Sequence, residues 1–306
     1  MSLQCRKAEN PRRRIGALGV GLVGLLVCAA CAPTSNAPAR AESGIVAFGP
    51  HLTETVFALG QGDRVVGRTR YCDYPPEALR LPVVGDYLSP DFEKLTVLRP
   101  SLLIVPGADA KLSTFAKLKG IPALNVDMDT LASIDAGIAT IGAALGCGDR
   151  ADSLRAQLRD RLDGVRRATA GKPRPRVLIL TARGNHDLTG LYTVGPTSFL
   201  AELVDVAGGA NLFAESPQRY FEASKETIVM RAPEVIFEFH AGETLAEKER
   251  NAFADDWKRL PSLPAVRDGR VHIITESYAM RPGPRIAEVA ELFARLLHPD
   301  AAQIGQ

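Results

Sequence analysis

Short apolar runs alternate with amphipathic stretches through the first half of the chain, from residue 44 to residue 145. The apolar runs predict β-strands at 44–49, 64–67, 82–85, 102–105 and 122–126. Helical spacing of apolar residues falls between them, at 53–59, 91–98, 110–118 and 131–145. Regular strand–helix alternation predicts an α/β lobe with a mainly parallel sheet covered by helices.

A second series of the same kind follows a charged stretch at 149–169. The charge density and leucine spacing of that stretch predict one long helix, which Gly171 and Pro173 end. Beyond it the pattern predicts strands at 176–181, 234–239 and 270–275, and helices at 198–207, 225–231, 246–259 and 285–297. The predicted fold is therefore α/β, with two Rossmann-like lobes (44–147 and 173–306), one connecting helix (148–172) and a ligand cleft between the lobes.

An internal repeat supports the two-lobe prediction. The segment EKLTVLRPSLLIV (93–105) places a Glu before a short apolar helix, a Pro seven positions later and an apolar strand, and ETIVMRAPEVIF (226–237) repeats this plan. A second echo joins TETVFALG (53–60) to AELVDVAG (201–208), each with a Gly six residues after a Glu. The repeats favour two lobes of one architecture that face each other.

The first 43 residues have the pattern of an export signal and a linker. Arg12–Arg14 precede an apolar run at 15–30, and small and polar residues follow, which predicts a signal peptide over 1–31 and a linker over 32–43. VCAAC (27–31) resembles a bacterial lipobox and makes Cys31 the candidate for lipidation, whereas AlaArgAla at 39–41 is an alternative cleavage site. The GxGxxG match at 19–24 lies inside this signal and lacks the preceding strand that a dinucleotide site requires.

Composition narrows the choice of function. The chain of 306 residues is 46% hydrophobic and 24% charged, with a net charge of +2, and its N-terminal arginines account for that excess. No basic stripe for nucleic acid is present. Cys72 and Cys147 remain in the exported part, where they either pair or stay as free thiols.

Candidate ligand-binding residues lie after the predicted strands, at the edge where ligands of open parallel sheets bind. They include His51, Arg183, His186 and His240, whose side chains suit a metal or a metal chelate. No HxxxH or HxxEH spacing indicates a protein-built zinc site. All six tyrosines fall in predicted loops, where a ring with a polar tip suits a bulky, partly polar ligand.

No catalytic motif is present: there is no GxSxG elbow, no P-loop and no recognisable Cys–His pair, so nothing favours an enzyme. An exported metallochaperone or enzyme that uses His51, His186 and His240 stays open as an alternative of another class.

Residues 44–300 resemble the class III periplasmic binding proteins of ABC importers, which carry cobalamin, haem and ferric siderophores. The resemblance rests on GPHLTE (49–54), RTRYCDYPPE (68–77), VGDYLSPDFE (84–93), LRP (98–100), AGGAN (207–211), RPGPRI (281–286) and LHPD (297–300). It implies two α/β lobes on one long helix, and a monomeric, extracytoplasmic receptor, lipid-anchored through Cys31, that binds no cofactor permanently.

The resemblance also assigns roles to residues. It implies that Glu93 and Glu226 dock onto the two subunits of an inner-membrane ABC permease, and that Tyr71, Tyr87 and Tyr220 line the cleft. The full set of ligand-binding candidates is Tyr71, Tyr87, Tyr220, His51, Arg183, His186, His240, Tyr278 and Arg281. The implied cargo is a corrinoid such as cobalamin, with haem and ferric siderophores as alternatives.

Overall fold

The computed structural model describes residues 44–107 and 109–300, which fall in one compact unit. The predicted signal peptide, the predicted linker and Cys31 lie outside the described residues. Among the helices of the described part, none combines the length and the apolar character needed to cross a bilayer.

The first lobe contains a four-stranded, wholly parallel sheet. Its strands are β1 (Ile45–Ala47), β2 (Val65–Arg68), β3 (Leu102–Pro106) and β4 (Ala123–Val126), in the order β2-β1-β3-β4. Its helices are α1 (Pro50–Ala58), α2 (Phe92–Leu98), α3 (Ala110–Lys119) and α4 (Leu131–Ala144). The predicted strand at 82–85 was wrong: it forms only isolated bridges, because the chain turns at Gly85, whose φ is 92°.

The second lobe contains a mixed six-stranded sheet. Its strands are β5 (Arg176–Ala182), β6 (Tyr192–Val194), β7 (Ala210–Asn211), β8 (Tyr220–Glu222), β9 (Val235–Phe239) and β10 (Val271–Ile274). The order is β10-β9-β5-β6-β8, with β7 also on β5; β6 is antiparallel to both of its neighbours. The helices are α6 (Phe199–Val206), α7 (Lys225–Arg231), α8 (Glu247–Asp256), α9 (Pro264–Arg267) and α10 (Ile286–Leu297). Two of the six tyrosines predicted to lie in loops, Tyr192 and Tyr220, instead begin β6 and β8.

One helix, α5 (Gly148–Thr169), connects the lobes. Arg159 on α5 pairs with Asp135 of α4 at 3.1 Å, and Arg161 pairs with Glu291 of α10 at 2.9 Å. Leu158, on the same helix, belongs to a buried apolar cluster that contains residues of both sheets. The connector is therefore packed against both lobes along its length, which stiffens it.

Strand alternation separates the core into layers. In β5, Val177 and Ile179 face one apolar cluster, whereas Leu178 and Leu180 face another. Both faces of the strand are covered, as period-two alternation in a three-layer α/β arrangement requires.

The internal repeat is present in the folded structure. Helices α2 and α7 have seven residues each and strands β3 and β9 have five, and each second copy lies 133 positions after the first. Asp91 caps α2 through the N–H of Lys94, and Ser224 caps α7 through the N–H of Thr227. Both helices end on a left-handed residue before a Pro, so the two lobes contain the same helix–strand unit.

Candidate functional site

Three tyrosines predicted for the cleft are exposed on the two lobes. Tyr71 is 64% exposed, Tyr87 53% and Tyr220 48%. Tyr71 follows β2, Tyr87 precedes α2, and Tyr220 begins β8. Tyr220 also follows Tyr87 by 133 positions, so the internal repeat extends to these two rings. Burial raises the pKa of Tyr220, which is therefore a neutral phenol at physiological pH.

The turn that bears Tyr87 is stabilised by hydrogen bonds among its own residues. Asp86 accepts hydrogen bonds from the N–H groups of Leu88 (3.0 Å) and Ser89 (2.8 Å). At Gly85 a side chain would bring its Cβ to 2.3 Å from the Ser89 carbonyl oxygen, so only glycine fits. Tyr87 and the exposed Leu88 are consequently displayed on a rigid turn.

A buried ion-pair cluster crosses from one lobe to the other beside Tyr71. Glu54 of α1 accepts from Arg281 at 2.9 Å and from Arg285 at 2.7 and 2.8 Å. Arg281 also donates to both carboxylate oxygens of Asp73 and, at 3.1 Å, to the carbonyl oxygen of Tyr71. This cluster ties the segment that bears Tyr71 to the second lobe.

Charge in this cluster is balanced within the protein. Burial alone would lower the pKa of Arg281, but its hydrogen bonds and charge interactions with Asp73 and Glu54 outweigh burial and raise it. Arg285 lies over the rings of Tyr74 (4.2 Å) and Tyr278 (5.0 Å). Both arginines thus hold the lobes together, with Tyr278 packed on Arg285 within the second lobe, and Arg281 presents most of its donors to the protein and not to a ligand.

A second contact between the lobes lies beside Tyr220. Arg219 pairs with Asp129, which precedes α4, and the N–H of Phe199 donates to the Asp129 carbonyl oxygen at 2.8 Å. Glu202 of α6 accepts the N–H of Leu131, the first residue of α4. The segments bearing Tyr71 and Tyr220 are therefore each anchored to the opposite lobe.

His51 lies in the first turn of α1, directly against the second lobe. A Cβ on Gly283 would lie 3.2 Å from the His51 Cβ, so the two segments are in close contact. Burial and, next, the charge of Arg281 lower the pKa of His51 to about 4. His51 is thus a neutral imidazole at physiological pH.

Arg183 is not available to a ligand. Its side chain is 2% exposed, and its five N–H groups donate to Glu238, Asp256 and the carbonyl oxygens of Gly184, Asp187 and Phe253. Arg183, a candidate ligand-binding residue by its position after a strand, instead has a structural role, since every donor of the guanidinium is already used.

His240 and His186 flank this same network. His240 contacts Glu238 (2.9 Å) and Glu243 (3.3 Å), and the hydrogen bond to Glu238 raises its pKa. His186 stacks on Phe253 at 4.5 Å and contacts Asp256 through Nδ1 at 3.1 Å. These two histidines share Phe253, whereas His51 packs elsewhere, against Gly283. Within residues 44–107 and 109–300, no group of three or more His, Cys, Asp or Glu side chains has the geometry of a metal site.

Glu93 and Glu226 occupy equivalent places on the two lobes. Each is the second residue of its helix, and each is exposed. Neither carboxylate forms a salt bridge within the described residues. Both are thus free to meet a cation of another molecule.

Cys72 and Cys147 are free thiols, which decides between the two alternatives left open by the sequence. Cys72 is buried, with its sulfur 3.1 Å from the Thr69 hydroxyl and 3.3 Å from the Thr53 hydroxyl.

Comparison with known proteins decides the family. Residues 45–278 match the family model described as periplasmic binding protein. The chain belongs to the periplasmic binding protein family. The prediction of a substrate-binding receptor with two α/β lobes is confirmed.

Three relatives illustrate the range of ligands. The chain is 27% identical over 260 residues to a vitamin B12-binding protein of Vibrio parahaemolyticus, covering 81% of this chain and 88% of that one. It is 28% identical over 263 residues to YvrC of Bacillus subtilis, an ABC transporter substrate-binding lipoprotein, covering 84% and 80%. Its structure is similar to that of the periplasmic haem-binding protein BhuT in complex with two haems, with a TM-score of 0.71, 25% identity and coverage of 84% and 98%. These relatives are binding proteins.

Sequence reasoning missed the residues that join the lobes, notably Glu54, Asp73, Arg285 and the pair Asp129–Arg219. One signal was present: Glu54 is the only acidic residue in PHLTETVFA (50–58), a segment without Lys or Arg, and a carboxylate that is buried requires a partner.

Proposed function

We propose that this protein is the extracytoplasmic receptor of an ABC importer and that it captures a corrinoid, such as cobalamin, between its two lobes. The observation that carries the proposal is the set of exposed rings, Tyr71 and Tyr87 on one lobe and Tyr220 on the other, of which Tyr71 and Tyr220 adjoin contacts that join the lobes. A corrinoid offers a broad apolar face with polar edges, which phenol rings suit. The vitamin B12-binding relative supports this choice of ligand.

Delivery would use Glu93 and Glu226. They lie on equivalent helices, one per lobe, without an ion-pair partner in the described part of the chain, and a permease with two like subunits would offer each carboxylate the same cationic pocket. The receptor acts as a monomer, anchored to the membrane by a lipid on Cys31, as the lipoprotein relative supports.

The identity of the ligand is tested by equilibrium titration of the purified protein with cyanocobalamin, haemin and a ferric siderophore. We expect saturation by cyanocobalamin at one to one, with quenching of intrinsic fluorescence corrected for ligand absorbance. Exclusive binding of haemin, with a shift of its Soret band, would replace the corrinoid by haem, because an exposed tyrosine can ligate haem iron. The haem-binding structural relative is the reason to include that arm.

Docking is tested by reversing both charges, Glu93→Lys with Glu226→Lys. Uptake of radiolabelled cyanocobalamin by cells should be lost, while the dissociation constant for cyanocobalamin stays unchanged, because both residues lie outside the tyrosine set. Loss of ligand affinity in the double variant would contradict the assignment of these residues to docking.

A further inference from the structure

The two docking helices share a second exposed side chain besides the glutamate. Val97 follows Glu93 by four residues on α2, and Met230 follows Glu226 by four residues on α7. Residues four apart lie on one face of a helix, so each glutamate has an apolar neighbour one turn away. Val97 is 79% exposed and Met230 is 77% exposed.

Exposure of this degree is uncommon in the structure. Among the large apolar side chains of the described residues, four are more than 70% exposed: Leu88, Val97, Leu118 and Met230. A single exposed apolar residue needs no explanation. Two of these four, however, fall at the same position of an internal repeat.

Each of the two helices also has a core-facing residue at an equivalent position of the repeat. Leu95 of α2 and Ile228 of α7 are equivalent, and both are completely buried. Val97 and Met230 contribute nothing comparable to the core, so packing within the protein does not account for an apolar residue at that position in both lobes.

The first lobe has a further apolar surface beside Glu93. A groove of about 910 Å³ lies between α2 and α3, where Phe92, Phe115 and the exposed Leu118 meet Glu93. An apolar surface next to an unpaired carboxylate complements a partner that presents a cation at the edge of an apolar pocket.

We propose that Val97 and Met230 are docking residues, each inserting into an apolar pocket beside the cation that receives Glu93 or Glu226 on the two-fold symmetric permease. The inference rests on the proposed function, since it specifies the surface of the same partner. Burial of the apolar side chain would exclude water from the adjacent ion pair and so strengthen it. The permease would thus recognise each lobe by a pair of side chains one helical turn apart.

The test measures binding of the purified receptor to an ABC permease complex of the same organism, reconstituted in lipid nanodiscs, at low and at moderate salt. The variants are Val97→Ser, Met230→Ser and the double variant. Leu79→Ser is the matched control, because Leu79 is 53% exposed and lies outside the repeat. We expect about 10-fold weaker binding for each single variant and about 100-fold for the double. Leu79→Ser should bind like the wild type, and the salt dependence should remain that of the wild type in all of them.

A second double variant, Glu93→Gln with Glu226→Gln, distinguishes the docking role of the glutamates from that of Val97 and Met230. Loss of binding and of its salt dependence in the Glu pair, together with wild-type binding of Val97→Ser/Met230→Ser, would overturn the inference and leave the docking role of the glutamates standing. If the wild-type receptor does not bind the permease, both the inference and the proposed delivery fail. Self-association of the receptor that the Val97 and Met230 substitutions abolish would assign the surface to a second copy of this chain.

Discussion

The two lobes contain the same helix–strand unit but differ at the buried position near the end of its strand. Val105 of β3 is apolar and fully buried, whereas the equivalent residue of β9 is Glu238, also buried. Glu238 accepts from the Trp257 indole at 2.7 Å and from Arg183 at 2.8 Å. The lobes therefore share an exposed tyrosine and an exposed glutamate, and differ at this buried position of the strand.

The second pair of repeated segments, 53–60 and 201–208, forms contacts of different strength between the lobes. Glu54 and Glu202 lie on α1 and α6, and each bonds to the opposite lobe. Glu54 is buried and holds two arginines, but Glu202 is half-buried and accepts a single backbone N–H from Leu131. One side of the junction between the lobes is thus a buried charged cluster, and the other combines the ion pair Arg219–Asp129 with hydrogen bonds from backbone N–H groups.

Glu54→Gln should have the largest effect on stability. The substitution keeps the volume but leaves Arg285 and part of Arg281 as buried, uncompensated charges, which costs about 3 kcal/mol of unfolding free energy. Urea unfolding followed by circular dichroism measures it. Glu202→Gln should lose only about 1 kcal/mol, and Asp205→Asn, in an exposed pair with Arg174, less still. If Glu54→Gln lost less unfolding free energy than Glu202→Gln, the charged cluster would not be the main link between the lobes.

The histidines at strand exits should respond to pH with opposite signs in the two lobes. The His51 pKa of about 4 lies below its ordinary 6.5, so the unfolded chain binds the proton first and stability falls as pH drops from 6.5 to 4. His51→Gln should reduce that fall by up to about 3 kcal/mol.

His240 has a raised pKa, so its contribution is complete below the ordinary pKa and is lost as pH rises through the raised value. His240→Gln should therefore lose stability mainly on the acid side. Urea unfolding between pH 4.5 and pH 8 checks both variants. A parallel pH dependence in the two variants would contradict the different surroundings of the two rings.

Tyr87→Ala and Tyr220→Ala should weaken ligand binding to a similar extent, because the two rings occupy equivalent positions of the repeat and are similarly exposed. We expect about 10-fold weaker binding of cyanocobalamin for each, as is typical of an anchoring aromatic side chain. Isothermal titration calorimetry measures the change, with Leu79→Ala as a control of similar exposure. An effect confined to one lobe would indicate that the ligand rests on that lobe alone.

Much of the fold could be predicted because its signals are local. Asp91 and Ser224, followed by apolar helix patterns and Pro100 and Pro233, define the repeated helices within a few residues. Strands β6 and β8 were missed, since three residues are too few for alternation to be recognised, and their pairing depends on partners far along the chain.

The site was predicted less fully, for a related reason. The sequence places Arg183 and His240 correctly at strand ends, but the direction of a side chain depends on distant residues. Asp256 lies 73 positions after Arg183 and draws its guanidinium inward. The same holds for Arg281, which meets Glu54 across the junction of the lobes.

The claim that one ligand lies between equivalent tyrosines of two lobes is tested most directly by hydrogen–deuterium exchange with and without saturating cyanocobalamin. We expect slower amide exchange in the ligand complex at residues 69–74 and 85–89 of the first lobe and at 219–222 of the second, with little change at the exposed residues 166–168 of α5. Protection in one lobe only, or in neither, would contradict capture between the lobes.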